Sequence, residues 1–172
     1  MMEKQVIVDE NDKVICSKFR SEITKDDIYR VSALWIMNSK KEILLAQRSF
    51  KKEKNPGVWG PAVGGTVSEN ESYEENMIRE AKEEINLENF KFFKGEKPLL
   101  TFDDYSFFCQ FFYAILDKDI IEFKIQEDEL EKLRWFSIDA LEKEIKRNPE
   151  NFVPKLNKLI KYHYTAFNLI DF

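Results

Sequence analysis

The apolar residues fall into short blocks separated by turn-forming residues. Residues 4–8 and 13–18 read as two short strands, and Asp9-Glu10-Asn11-Asp12 between them carries the residue types that close a hairpin. Residues 29–37 and 42–47 are two further strand blocks, joined at Asn38-Ser39-Lys40-Lys41. The stretch 58–67 reads as short strand and loop and contains Gly60, Gly64 and Gly65. Strand-like blocks recur near 90–101, 105–116, 121–125 and 132–137. Two regions have a helical period instead. Over about 72–85, Met77, Ile78, Ala81 and Ile85 share one side at about 100° per residue. From Ile138 to about 165, Leu141, Ile145, Val153, Leu156 and Ile160 mark helices. This mixture predicts an α+β or α/β fold, a mixed sheet sandwiched between helices. No repeat or low-complexity linker interrupts it, so one domain is expected over residues 1–172, with its hairpin at about 4–18.

Composition narrows the class. Apolar residues are 43% of the chain and charged residues 34%, which suits a water-soluble globular protein. The formal net charge of −5 argues against a nucleic-acid partner, whose phosphates need clustered cations. No apolar run approaches the roughly 18 residues of a membrane span, and the N-terminus has no signal-peptide core. No membrane association and a cytoplasmic location are expected. Cys16 and Cys109 lie in apolar strand-like runs and are expected as buried free thiols. Trp59 and Trp135 are expected to be structural, and His163, the only histidine, a surface or helix-packing residue. The aromatic run 105–113 alternates between two strand faces. One face should be core, and both buried is the expectation, although an exposed face could stack a base or an apolar tail.

The chemistry concentrates on the first helix. Ser72-x-x-Glu75 is a capping box that starts it, and Asn86 tolerates the left-handed conformation that stops it. Glu80, Glu83 and Glu84 gather on an arc away from the apolar side. Like charges so close repel, and a hard divalent cation such as Mg²⁺ relieves the repulsion while bridging to phosphate oxygens. A merely solvated acidic face is the alternative.

The spacing around these residues is more specific. Gly65-x5-Glu71-x7-Arg79-Glu80-Ala81-x-Glu83-Glu84-x-Asn86-Leu87 resembles the Nudix box, departing only in Asn86 where the family has Gly. Ile43–Arg48, Pro56-Gly57-Val58-Trp59, Glu129-Leu130 and Arg134-Trp135-Phe136 are similar to the family's flanking segments. The N-terminal stretch, with Val6, Asp9, Val14, Tyr29 and Arg30, resembles the isopentenyl-diphosphate isomerase-like branch. The resemblance implies a Nudix fold with the box at 65–87 and metal-dependent cleavage of a diphosphate bond. The substrate would be a nucleoside diphosphate-linked or other small organic diphosphate. It implies Mg²⁺ or Mn²⁺ held by Glu80, Glu83, Glu84 and the Gly64 carbonyl, with Glu127 and Glu129 as further ligand candidates. Glu80, Glu83, Glu84 or Glu129 would orient or deprotonate the attacking water. Arg79 would hold a box glutamate in place, and Glu71 would support the loop–helix geometry. Many relatives dimerise, so a homodimer stays open.

Two alternatives stay open. Isomerase-like activity would need the branch's cysteine before the box and its three histidines. Trp59–Gly64 has no cysteine, and Tyr29 stands where that branch tends to have His. A catalytically silent diphosphate-binding module would be expected to have lost box glutamates, and all are present. For substrate phosphates the candidates are Arg48, Lys51 and Lys52 in a basic loop that also holds Lys54.

Overall fold

The sheet is organised around β3 (Ile28–Met37). Along its whole length β3 pairs in parallel with β9 (Ser106–Ile115), from Ile28 opposite Ser106 to Met37 opposite Ile115. It also pairs antiparallel with β1 (Lys4–Val8), β4 (Glu42–Arg48) and β6 (Val63–Thr66). The path continues outward through β4 to β10 (Leu130–Ser137) and through β1 to β2 (Val14–Phe19). β5 (Trp59–Pro61) adds to β4, while β7 (Phe93–Lys94) and β8 (Leu99–Thr101) add to β9. These elements come from a computed structural model that describes residues 3–168.

Both faces of β3 are buried, as a strand at the centre of a covered sheet requires. On one face Ala33, Trp35 and Met37 pack with Phe111 and Tyr113 against α2 (Ile138–Arg147) and α3 (Leu156–Asn168). On the other, Leu34 and Ile36 pack with Phe112 and Ala114 against Met77, Ala81 and Ile85 of α1 (Tyr73–Ile85). The expected helix–sheet–helix layering is therefore present. No helix among the described residues is long and apolar enough to cross a membrane.

Several expectations are corrected. Residues 121–125 form no strand; Ile120–Glu122 is a short 3₁₀ turn and Ile121 is 89% exposed. The Asp119 amide donates to Glu122 Oε2 at 2.7 Å, so local bonds replace a ladder there. The block 90–101 splits into β7 and β8, because Pro98 has no N–H to give and Gly95 turns its amide to the Phe111 carbonyl. Cys16 is exposed, since β2 is an edge strand with an outward face; Cys109 is buried. Ile78 is exposed because the stripe Met77-Ala81-Ile85 turns away from it.

The hairpin is pinned at its turn. Asp12 adopts a left-handed φ of 61° and accepts Arg30 Nε at 2.7 Å and the Tyr73 hydroxyl at 3.0 Å. Lys97 pairs with the same carboxylate, and Arg30 Nη2 also donates to the Asp12 carbonyl at 2.6 Å. Burial works against this charge, but Lys97, Arg30 and Tyr73 together hold the Asp12 carboxyl below its ordinary value. One side chain thus ties the hairpin to β3 and to the first turn of α1.

Candidate active site

α1 starts and stops where its sequence dictates. The Glu75 amide donates to Ser72 Oγ at 3.2 Å while the Ser72 amide donates to Glu75 Oε2 at 2.8 Å. Asn86 closes the helix at φ 52°. Between these caps the acidic arc is graded by depth. Glu84 borders the apolar stripe and is 7% exposed. The side chain of Glu80 is 16% exposed and that of Glu83 51%.

Glu71 and Arg79 fix the approach to the helix. Glu71 Oε2 accepts the Ser68 amide at 3.0 Å and Asn76 Nδ2 at 2.9 Å. Arg79 Nε donates to Glu71 Oε1 at 2.8 Å, and the same guanidinium reaches Glu80 Oε1 at 3.0 Å and Glu83 Oε2 at 2.8 Å. Burial opposes the Glu71 charge, yet Arg79, Ser68 and Asn76 hold its carboxyl below the usual range.

The deeper carboxylates lack such compensation. Burial, aided by Glu83, raises the Glu80 carboxyl to about 7 against the pull of Arg79. Burial and the Glu80 charge raise Glu84 to about 8, although the Gly64 amide donates to Glu84 Oε2 at 3.2 Å. A Cβ at Gly65 would overlap the Glu80 carboxylate, so glycine is what lets that carboxylate lie against β6.

These groups line a polar cavity of about 380 Å³ that includes Gly64, Arg79, Glu80, Glu83, Glu84 and Glu129. Arg48 and Lys52 stand on the same cavity. Lys52 Nζ donates to Glu129 Oε2 at 2.6 Å, and Arg48 Nη2 donates to the Lys54 carbonyl at 3.2 Å. The Glu129 loop is held to α1 by the Gln126 amide, which donates to the Glu84 carbonyl at 2.9 Å. Lys51 and Glu127 do not line this cavity. The turn at Gln126–Leu130 points Glu127 outward, and Lys51 pairs at 2.8 Å with exposed Asp128. Sequence reasoning missed Arg20, Gln5, Thr66 and Gln126, which the fold brings in from separate elements. A larger groove of about 600 Å³ lies between α2 and α3 and holds none of the predicted residues.

The donor set suits a hard cation. Every candidate ligand atom is oxygen, which matches Mg²⁺ or Mn²⁺ rather than a softer metal. Two carboxylates with raised pKa, Glu84 buried and Glu80 partly so, are short of positive charge. Among the described residues, no three such groups share one point as the side chains stand, because Arg79 draws Glu83 and Glu80 to itself. Glu83 is half exposed and lines the same cavity.

Comparison with known proteins identifies the family and the fold. Residues 28–156 match the NUDIX domain family. An uncharacterized Nudix hydrolase of Nostoc sp. is 38% identical over 84 residues, 48% of this chain and 50% of that protein. An isopentenyl-diphosphate Delta-isomerase of Photorhabdus laumondii is 33% identical over 88 residues, 50% of this chain and 50% of that protein. The chain spans about half the length of both relatives. The crystal structure of DR0079 from Deinococcus radiodurans shares the fold at a TM-score of 0.80 and 23% identity, covering 93% of this chain and 98% of that one. The matched span runs from the first residue of β3 to the first residue of α3 and contains the glutamate helix entire, so the chain belongs to the NUDIX domain family.

Proposed function

We propose that this chain is a metal-dependent hydrolase that cleaves the diphosphate bond of a small nucleoside diphosphate-linked or other organic diphosphate. The observation that carries the reading is the pair of carboxylates, Glu84 buried and Glu80 largely so, in a cavity whose other wall is cationic at Arg48 and Lys52. Diphosphates resist attack because their own charge repels a nucleophile. A divalent ion, Mg²⁺ or Mn²⁺, would neutralise that charge and lower the pKa of a coordinated water. Glu80, Glu83, Glu84 and the Gly64 carbonyl would hold it.

The remaining work falls to the chain. Arg48 and Lys52 attract and orient the phosphates. Glu83 or Glu129 accepts the proton of the attacking water, whose oxygen forms a new P–O bond while the bridging P–O bond breaks. The bridging oxygen leaves with the second phosphoryl group. Arg79, anchored on Glu71, positions Glu83 and Glu80 and does not touch substrate.

An isomerase reading has less support. His163 is buried on α3, stacked on Trp35, so it lies across the sheet from α1. The test is product release from a diphosphate panel with Mg²⁺, with EDTA, and with Glu83→Gln. Release that stops in EDTA and falls by about 10³-fold in the variant is expected, in line with the loss of a catalytic base. Undiminished release in EDTA would overturn the metal assignment. Allyl rearrangement of a prenyl diphosphate without phosphate release would overturn the hydrolase.

A further inference from the structure

The groove of about 600 Å³ between α2 and α3 shares no lining residue with the carboxylate cavity. Its floor is built from Ile145 of α2, Leu156 and Ile160 of α3, and Phe152 from the segment between them, all buried. Pro149 and Pro154 add exposed apolar surface to it. We propose that this groove binds a free medium-chain fatty acid, with the alkyl chain on that floor and the carboxylate at Lys146.

The dimensions select a small molecule. α2 contributes the step from Glu142 to Lys146 and α3 the step from Leu156 to Ile160, each about 6 Å long at the helical rise. A docked helix needs anchors out to the seventh residue, a span of about 10 Å, and an added strand needs a sheet edge, which two helices do not offer. The volume lies within the roughly 300–1,000 Å³ usual for small-ligand sites. The short walls favour a medium chain over a long one.

Charge selects the head group. Lys146 is exposed and, among the described residues, forms no ion pair. Lys155 stands on the same groove and is held there: its Nζ donates to the Thr101 carbonyl at 2.6 Å and lies 4.2 Å from the centre of the Phe102 ring. Glu142, the acidic residue of the wall, already has a partner. The chain as a whole carries a net charge of −5, so an anion is drawn here by these local cations and not by the general field. A floor with three aliphatic residues and one aromatic suits an alkyl chain better than a ring.

Trp59 is placed to report occupancy. Phe152 pairs with Trp59 in an isolated parallel bridge, and the Val153 amide donates to the Trp59 carbonyl at 2.8 Å.

The test is binding of decanoate to the full-length protein in EDTA, followed by calorimetry and by tryptophan emission. Acetate, decanol and decyltrimethylammonium are the comparisons. Decanoate is expected to saturate one site with a dissociation constant below about 1 mM. It should bind at least about a hundredfold tighter than acetate, from burial of the alkyl chain, and about three- to fivefold tighter than decanol, from an exposed ion pair. Lys146→Met should erase the advantage over decanol, and Lys146→Glu should turn the preference toward decyltrimethylammonium. Lys146 is exposed, so both variants are expected to fold. Amide chemical shifts should move at Ile145, Phe152 and Ile160 and stay fixed at Glu80 and Glu84. Decanoate no tighter than acetate, or shifts confined to other parts of the fold, would overturn the site. Decanol equal to decanoate on the unaltered protein would overturn the anionic head group. Sedimentation showing dimers that decanoate dissociates would make a second copy of the chain the occupant and overturn the fatty acid.

Discussion

Arg79 Nη1 lies 2.8 Å from Glu83 Oε2 while its Nε lies 2.8 Å from Glu71 Oε1, so one guanidinium joins the loop before α1 to the most exposed glutamate of the acidic arc. Glu71 is the anchor of this arrangement. Its removal in Glu71→Ala would leave the Ser68 amide, Asn76 Nδ2 and Arg79 without their shared acceptor. Hydrogen bonds to a charged group are worth about 1.5–3 kcal/mol each, less where water competes. The expected loss is about 2–3 kcal/mol, read from urea denaturation, with Glu71→Gln losing less. A loss under about half a kcal/mol would mean that the loop does not depend on this carboxylate.

Crowded carboxylates should couple metal binding to folding stability. A cation that binds only the folded state stabilises it by about 2.7 kcal/mol at a hundredfold excess over its dissociation constant. Thermal melts with Mg²⁺ or Mn²⁺ should therefore rise with concentration. Glu84→Gln replaces a carboxyl whose ionised form burial disfavours, so its metal-free melt should be at least as high as the parent's and its metal response should vanish. Glu131→Gln, an exposed carboxylate of β10 that does not line the cavity, should keep the full response. An identical response in both variants would place the ion elsewhere.

The helix was legible because its information is local. Ser72, Glu75 and Asn86 act on neighbours within a turn, and the spacing of Glu80, Glu83 and Glu84 fixes their arc whatever the rest of the chain does. Strand positions were legible where burial dominates, as in β3 and β9, and failed where backbone chemistry overrides the apolar count, as at Pro98 and at Ile120–Glu122. Ile78 was misplaced because an apolar residue at the margin of a stripe is indistinguishable from one inside it until the packing partner is known. Arg20 and Gln126 could not be found from spacing, since they meet the cavity through a long-range strand order that no local pattern encodes. The roles of Lys51 and Lys52 separate for a related reason: adjacent residues of one loop point to different carboxylates, Asp128 outside the cavity and Glu129 within it.

The two adjacent glycines should respond differently to a methyl group. At Gly64 a Cβ would meet only the Ser32 carbonyl, at an ordinary 3.6 Å. At Gly65 it would occupy the space of the Glu80 carboxylate. Gly65→Ala should displace Glu80 and lower both metal affinity and turnover at least tenfold, as misplacement of a reacting group by about 1 Å does. Gly64→Ala should fold and retain most metal affinity by isothermal titration. The opposite ranking would show that the close approach runs through Gly64.

His163 gives the fold a pH dependence of known sign. The ring is fully buried, stacked 3.8 Å from Trp35 and hydrogen-bonded through Nδ1 to the Tyr113 hydroxyl at 2.8 Å. Burial pulls its pKa down to about 3, whereas an unfolded histidine titrates near 6.5. Between those values the unfolded chain binds a proton that the folded chain refuses, so stability rises with pH across the window and is lost on acidification through it. The slope approaches about 1.4 kcal/mol per pH unit once the unfolded histidine is largely protonated. Glu80 and Glu84, with folded pKa values raised to about 7 and about 8, act oppositely: they favour the folded state at low pH and disfavour it as pH rises. The informative quantity is therefore the difference between parent and His163→Gln in urea midpoint, measured from pH 6.5 to pH 5. The parent should lose about 1–2 kcal/mol relative to the variant over that interval. Parallel curves would mean that His163 binds its proton as readily in the folded protein as in the unfolded chain.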